Sequence, residues 1–72
     1  MSRDIRKHIS NRIRELRAKR GLTQQKLAEE AEVDYKTVQR LEGKAPSRHP
    51  NIDTLEKIAK ALGVNVSELL KP

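Results

Sequence analysis

The segment that most constrains this chain runs from Thr23 to Gly43, with the sequence TQQKLAEEAEVDYKTVQRLEG. Thr23 and Asp34 are suited to cap the N-termini of two short helices, and Gly43 is suited to end the second. Apolar residues recur at helical spacing after each cap, namely Leu27, Ala28 and Ala31 in the first helix and Val38 and Leu41 in the second. The segment therefore predicts two helices joined by a bend around Val33.

Two helices this short cannot lie antiparallel across so tight a bend, and so they must cross steeply. This is the helix-turn-helix arrangement, which is used to place the second helix in the major groove of DNA. Ala28 lies where the second helix crosses the first, and a large side chain there would push the two helices apart.

The whole chain is predicted to be all-α, a bundle of five helices in a single domain over residues 1–72. Nothing in the sequence indicates a strand. Helix 1 ends at Arg20 before Gly21, and the loop at residues 43–51 is rich in Pro, Gly and Ser. Helices 2 and 3 are predicted at Gln24–Ala31 and Tyr35–Glu42. Helix 4 ends at Gly63, and its buried side chains are Leu55, Ile58, Ala59 and Leu62. Helix 5 follows Asn65, which with Glu68 resembles a capping box, and it ends in Leu69 and Leu70.

The start of helix 1 has two interpretations. Ile5 and Ile9 continue the helical spacing of the later apolar residues, which favours a helix that begins near residue 4. Ser10 could equally cap a shorter helix, which would leave residues 1–10 as a basic extension.

The charge is positive and uneven. The formal net charge is +6 and the sequence pI is about 10.1, with nine Lys or Arg residues against two acidic ones in residues 1–26. Polyanions are therefore the natural partners, although a solvated charged surface is the plainer interpretation. Arg3, Arg6, Lys7, Arg12 and Arg14 could form an arm on DNA or simply solvate helix 1, and the spacing of Ile5 and Ile9 favours solvation.

Several classes of function are disfavoured. The sequence has no cysteine and only two histidines, His8 and His49, so neither a metal site nor a catalytic triad is expected. It has no glycine-rich phosphate loop and no apolar run of about 20 residues, and residues 1–10 lack the uninterrupted apolar stretch expected of a signal peptide. We expect a cytoplasmic protein without enzymatic activity, cofactor, membrane contact or small-molecule ligand.

A set of residues in fixed order resembles a known family. These residues are Arg17, then Gly21 to Gln24, Leu27 and Ala28, Leu41 to Gly43, Leu55, Ala59, and Leu62 to Val64. Over about residues 12–70 the chain resembles the Cro and phage-repressor type of helix-turn-helix protein, the XRE family. The resemblance implies an all-α domain that binds operator DNA, usually as a twofold dimer, and represses or activates transcription.

Two features differ from the family pattern. The family commonly has Gly in the bend between helices 2 and 3, where this chain has Glu32. A left-handed conformation at a residue other than Gly costs on the order of 1 kcal/mol, so the bend is either slightly strained or of a different type. The loop at residues 43–51 is also longer than is usual in the family.

Helix 3 carries the candidate base contacts. Val38 and Leu41 face the core, which leaves four polar or aromatic side chains outward and one at the margin. Lys and Arg can donate to guanine, and Gln can pair with adenine. The candidates are Tyr35, Lys36, Gln39 and Arg40, with Thr37 at the margin. For Tyr35 the alternatives are contact with a thymine methyl or phosphate, or packing against the end of helix 2.

The resemblance adds candidate phosphate contacts. In the family, the Gln that begins helix 2 often binds a phosphate, and the loop after helix 3 touches the DNA backbone. A helix N-terminus favours anions, although Gln24 could also be an ordinary surface residue. The matching positions are Gln24, Lys44, Ser47, Arg48 and Asn51. The resemblance also implies a structural ion pair between Arg17 and Glu42 that would hold helix 3 against helix 1.

The favoured function is that of a small transcriptional repressor that binds an inverted-repeat operator as a homodimer. The alternative is a protein-interaction module on the same scaffold, such as an antitoxin or an adaptor for the transcription machinery. The expected dimer contact lies near the C-terminus, at Val64, Val66, Leu69 or Leu70, although all four could instead complete the core of the monomer.

Overall fold

The computed structural model describes residues 3–43 and 51–70. These residues form five helices and no strand, which confirms the predicted all-α fold. The helices are α1 (Arg3–Lys19), α2 (Gln24–Ala31), α3 (Tyr35–Leu41), α4 (Ile52–Ala61) and α5 (Val66–Leu70). None of the helices in these two ranges is long and apolar enough to cross a bilayer.

Helix α1 takes the longer of the two predicted forms. It begins at Arg3, and both Ile9 and Ser10 are buried, so Ser10 is not the cap of a shorter helix. Its end is a Schellman motif, in which Gly21 has a φ of 66° and the Leu22 amide donates to the Arg17 carbonyl at 3.1 Å. Gly21 therefore ends the helix as predicted.

The caps of α2 and α3 differ from each other. The Thr23 hydroxyl oxygen accepts from the Lys26 amide at 3.0 Å, as an N-cap should. Asp34 occupies the N-cap position of α3 with extended backbone, but its side chain makes no capping hydrogen bond, so the predicted cap is wrong in this respect. Helix α3 ends at Leu41, one residue earlier than expected, and Glu42 is its C-cap.

The bend between α2 and α3 keeps a left-handed geometry despite the absence of glycine. Glu32 has φ 57° and ψ 43°, and it is the one residue other than Gly with positive φ in the described ranges. The Val33 amide then donates to the Ala28 carbonyl at 3.0 Å. The strained form of the bend, rather than a different turn, is thus the one adopted.

The core lies between the crossing helices and is built from small and medium aliphatic side chains. Ala28 is buried and α2 packs against α3, while the position of Ala28 at the crossing itself stays a prediction. Helix α4 packs against α2, and α5 packs against α1 and α4. The buried apolar residues are Ile9, Ile13, Leu27, Ala28, Ala31, Val38, Leu41, Leu55, Ile58, Ala59, Leu62 and Leu69.

Helices α4 and α5 also begin and end on local signals. The Asn51 side-chain oxygen caps α4 by accepting from the Thr54 amide at 2.7 Å, and the Asn65 oxygen accepts from the Glu68 amide at 3.2 Å. Gly63 has a φ of 77° and ends α4. These short-range bonds place α5 where it closes the core against α1.

Candidate nucleic-acid interface

The outer face of α3 carries the predicted polar side chains. Lys36, Gln39 and Arg40 are exposed, while Val38 and Leu41 of the same helix are buried. Tyr35 is 44% exposed and Thr37 is partly buried. The division into an outward and an inward face is therefore the one predicted from the sequence.

The C-terminal end of α3 is fixed by the ion pair between Arg17 and Glu42 that the resemblance implied. Arg17 Nε lies 2.8 Å from Glu42 Oε2, and Arg17 Nη2 lies 3.0 Å from Glu42 Oε1. The side chain of Glu42 is only 2% exposed, and Arg17 also donates to the Leu22 carbonyl at 2.8 Å. The two-point contact holds the end of α3 against α1.

Gln24 takes part in the same network. Its side-chain nitrogen donates to Glu42 Oε1 at 3.2 Å, so this residue is not an ordinary surface glutamine. The first main-chain hydrogen bond of α2 runs from the Leu27 amide to the Thr23 carbonyl at 2.9 Å. The amides of Gln24 and Gln25 come before it and therefore have no main-chain acceptor within the helix. The N-terminus of α2 therefore offers main-chain donors to an anion while the Gln24 side chain is held by Glu42.

Three of the predicted phosphate contacts, Lys44, Ser47 and Arg48, lie outside the described residues. The fourth loop residue, Asn51, is exposed and its oxygen caps α4. Its phosphate contact stays a prediction.

Arg12 and Arg14 of α1, and Arg20 just after it, have partners within the protein that were not predicted from the sequence. Arg12 donates to the Glu68 carbonyl at 3.3 Å and forms an ion pair with Glu15 at 3.2 Å. Arg14 Nη2 donates to the Glu42 carbonyl at 2.6 Å, and Arg20 Nη1 donates to the Leu62 carbonyl at 3.3 Å. Residues 3–10 belong to α1 and do not form a separate extension, and the solvation of Arg6 and Lys7 stays a prediction.

The four candidate dimer residues divide into two groups. Leu69 is fully buried, so for this residue the alternative interpretation holds: it completes the core of the monomer. Leu70 is 46% exposed, and Val64 and Val66 are partly buried against the core. Ile52, at 59% exposure, is a further exposed apolar side chain that the sequence did not single out.

Within the described ranges, no group of three or more His, Asp or Glu side chains could hold a metal ion. The side chains of Arg17 and Gln24 converge on the Glu42 carboxylate and bind it. These contacts hold α3 while its polar outer face stays exposed.

A helix-turn-helix family model matches residues 13–69. The chain belongs to the XRE-type helix-turn-helix family. A hypothetical transcription factor from Neisseria, NHTF, is 32% identical over 96% of this chain and 75% of its own, with a TM-score of 0.87. The restriction-modification controller protein C.AhdI from Aeromonas hydrophila is 31% identical over 89% of this chain and 94% of its own, with a TM-score of 0.80.

A third similar structure is the clp gene regulator ClgR from Corynebacterium glutamicum, which is 27% identical over 92% of this chain and 68% of its own, with a TM-score of 0.80. No curated protein sequence is significantly similar to the chain. The family and these relatives identify this helix-turn-helix protein as a DNA-binding transcriptional regulator. The family is not one of enzymes.

Proposed function

We propose that this protein is a cytoplasmic repressor that binds an inverted-repeat operator as a twofold dimer. The observation that carries the proposal is the outer face of α3, where Lys36, Gln39 and Arg40 are all exposed beside a buried inner face. Family membership supports DNA as the partner.

The outer face of α3 suits the edges of bases in the major groove. Lys36 and Arg40 are four residues apart and therefore lie on one side of the helix. Both can donate to guanine O6 and N7, and Gln39 can pair with adenine N6 and N7. Tyr35 and Thr37 complete the proposed contact set, with Tyr35 against a thymine methyl or a phosphate.

Phosphate contacts on both sides of α3 would fix the register of the helix. The main-chain amides at the start of α2 form one anchor, with Gln24 as its first residue. The loop after α3 forms the other, through Lys44, Ser47, Arg48 and Asn51. Such contacts set affinity and orientation without distinguishing sequences.

A dimer follows from the small number of bases that one domain can contact. Each mismatch costs about 1–3 kcal/mol, so a monomer with a few base contacts would discriminate poorly. Two copies would place their α3 helices in half-sites about 10 base pairs apart on one face of DNA. The proposed contact between copies is the exposed part of Leu70 together with Val64 and Val66, and repression would follow from occupancy of the operator.

The test is selection of bound duplexes from a random library at near-physiological salt, followed by sequencing. An enriched inverted repeat with half-sites one turn apart is the expected result. Enrichment of a single half-site would contradict the dimer. Salt-sensitive binding without enrichment would contradict sequence specificity, and no binding at all would favour the protein-interaction alternative.

Alanine variants then separate base contacts from phosphate contacts. Lys36→Ala or Arg40→Ala should weaken binding to the selected site far more than to random duplex. Lys57→Ala is a matched control, because it removes the same charge from an exposed position of α4, which packs against α2 and α5. Equal losses on both duplexes would show that the α3 side chains do not distinguish bases.

Variants of the loop should behave differently. Lys44→Ala or Arg48→Ala should weaken all duplexes alike and reduce the slope of log affinity against log salt by roughly one ion each. An unchanged slope would remove the loop from the interface.

A further inference from the structure

Three side chains on one face of α1 bind the C-terminal end of α3. Ser10, Arg14 and Arg17 are separated by four and three residues, so they share one side of the helix; we call them the α1 stripe. The Ser10 hydroxyl donates to the Leu41 carbonyl, and Arg14 Nη2 donates to the Glu42 carbonyl at 2.6 Å. Arg17 binds the Glu42 carboxylate, as described above.

The C-terminal end of α3 needs hydrogen-bond donors from outside the helix. The last carbonyls of a helix accept no hydrogen bond from within the helix, and those of Leu41 and Glu42 are two of them. Ser10 is buried at 3% exposure, so its hydroxyl donates to Leu41 away from solvent. A buried donor and acceptor that find each other are costly to separate.

Apolar packing holds α3 chiefly against α2, and its packing against α1 is slight. The helix has seven residues, of which only Val38 and Leu41 are buried. Its N-terminal end lacks a side-chain cap, because Asp34 makes no capping bond. The polar contacts at the C-terminal end are therefore what joins α3 to α1 and fixes the position of that end.

We propose that Ser10 and Arg14 are positioning residues for sequence recognition: through the Leu41 and Glu42 carbonyls they set the orientation at which the outer face of α3 meets the bases. The inference rests on the proposed function, since it presumes that α3 contacts base edges. Neither residue touches DNA in this role.

The chemistry of Arg14 distinguishes positioning from direct contact with DNA. Its guanidinium binds two acceptors at once, the Glu42 carbonyl and the Asn11 side-chain oxygen at 3.3 Å. A lysine keeps the charge but has a compact ammonium on a flexible stem and cannot reproduce a planar two-point contact. If Arg14 bound a phosphate instead, a lysine would keep the charge that sets affinity, and the preference for the selected duplex would not change.

The experiment compares Arg14→Lys with Arg14→Ala and Ser10→Ala, on the selected duplex and on random duplex. The measured quantity is the dissociation constant for random duplex divided by the dissociation constant for the selected duplex. We expect all three variants to lower this ratio about fivefold, as when one base contact at the weak end of the usual range is lost, with binding of Arg14→Lys to random duplex unchanged. Arg12→Lys is the matched control, because Arg12 lies on the same helix and binds a carbonyl of α5 rather than α3.

Amide hydrogen exchange provides a second readout that does not involve DNA. The Glu42 amide donates to the Val38 carbonyl at 3.0 Å and the Gly43 amide to the Arg40 carbonyl at 3.3 Å. Both amides should exchange faster in Arg14→Lys, while the Leu62 amide, bonded at the end of α4, should not change. Arg14 is exposed, so the Arg14→Lys variant should fold and it tests the inference even if Ser10→Ala is too unstable to purify.

Each remaining outcome overturns the inference. An unchanged ratio for Arg14→Lys with uniform weakening for Arg14→Ala would make Arg14 a phosphate contact. An equal fall for Arg12→Lys would indicate general loosening of the domain. A lower ratio with unchanged exchange at Glu42 and Gly43 would mean that the effect does not pass through the end of α3. A wild-type protein with no preferred duplex would refute the proposed function itself, and the positioning role with it.

Discussion

Replacing Glu42 by alanine should lower the free energy of unfolding by about 3 kcal/mol, at the low end of what is found when a buried ion pair loses one partner. The carboxylate accepts two bonds from Arg17, at 2.8 and 3.0 Å, and one from Gln24 at 3.2 Å. Its removal leaves a guanidinium without its counter-charge in a largely buried place. The loss is therefore greater than that of an ordinary surface pair.

The loss in unfolding free energy is set at the low end of the range because Arg17 keeps one hydrogen bond and some contact with solvent when Glu42 is removed. Its side chain is 20% exposed and keeps the Leu22 carbonyl at 2.8 Å. A chain of 72 residues has a total stability of about 4–11 kcal/mol, so the loss is a large fraction of it. The melting temperature should fall by about 12 °C or more, at roughly 4 °C for each kcal/mol.

The assay is urea denaturation followed by far-ultraviolet circular dichroism, with Glu30→Ala as the control. Glu30 is an exposed glutamate on α2, and its replacement should change stability by no more than about 0.5 kcal/mol. The double variant Arg17→Met with Glu42→Leu should be close to wild type, because apolar residues of similar volume can replace a buried pair. A loss below about 1 kcal/mol for Glu42→Ala would refute the reasoning, since that is the contribution of an exposed pair.

Three further predictions use the same denaturation assay. Glu32→Gly should raise stability by up to about 1 kcal/mol by relieving the left-handed strain, whereas Glu30→Gly, within α2, should lower it by about as much. Thr23→Ala should cost about 1 kcal/mol because a capping bond is lost, and Asp34→Ala should cost less because no such bond exists. Ile58→Ala should cost about 2–5 kcal/mol because the side chain is fully buried.

Each of these has a clear contradiction. A destabilised Glu32→Gly would mean that the bend gains more from the glutamate side chain than it loses in backbone strain. Equal losses for Thr23→Ala and Asp34→Ala would show that Asp34 caps α3 in solution. A small loss for Ile58→Ala would mean that the core collapses around the missing volume.

The helices were predictable because their signals are local. Apolar spacing placed α2 within the observed bounds, and Thr23, Gly21 and Gly63 marked helix ends through bonds to residues three to five positions away. The outward set on α3 followed from the same periodicity once Val38 and Leu41 were assigned to the core. The left-handed bend at Glu32 was one of two options, and only the backbone angles decided between them.

The partners of Arg12 and Arg14 were not predictable, because they depend on contacts between distant parts of the chain. Arg12 meets a carbonyl 56 residues away, and Arg14 meets one 28 residues away. Every residue has a main-chain carbonyl, so the sequence does not show which carbonyl an arginine binds, and the spacing of Ile5 and Ile9 favoured solvation of these side chains. The signal that was present is the spacing of Ser10, Arg14 and Arg17, which indicates a shared face but not what it binds.

The contact between Arg12 of α1 and Glu68 of α5 has a consequence for how the chain folds. The bond from Gln24 to Glu42 spans 18 residues, whereas the bond from Arg12 to Glu68 spans 56. Because the entropy of loop closure grows with the logarithm of loop length, the longer closure costs about 1 kcal/mol more. We expect α2 and α3 to associate early, and α5, which ends in the exposed Leu70, to dock last on a helix-turn-helix that has already formed.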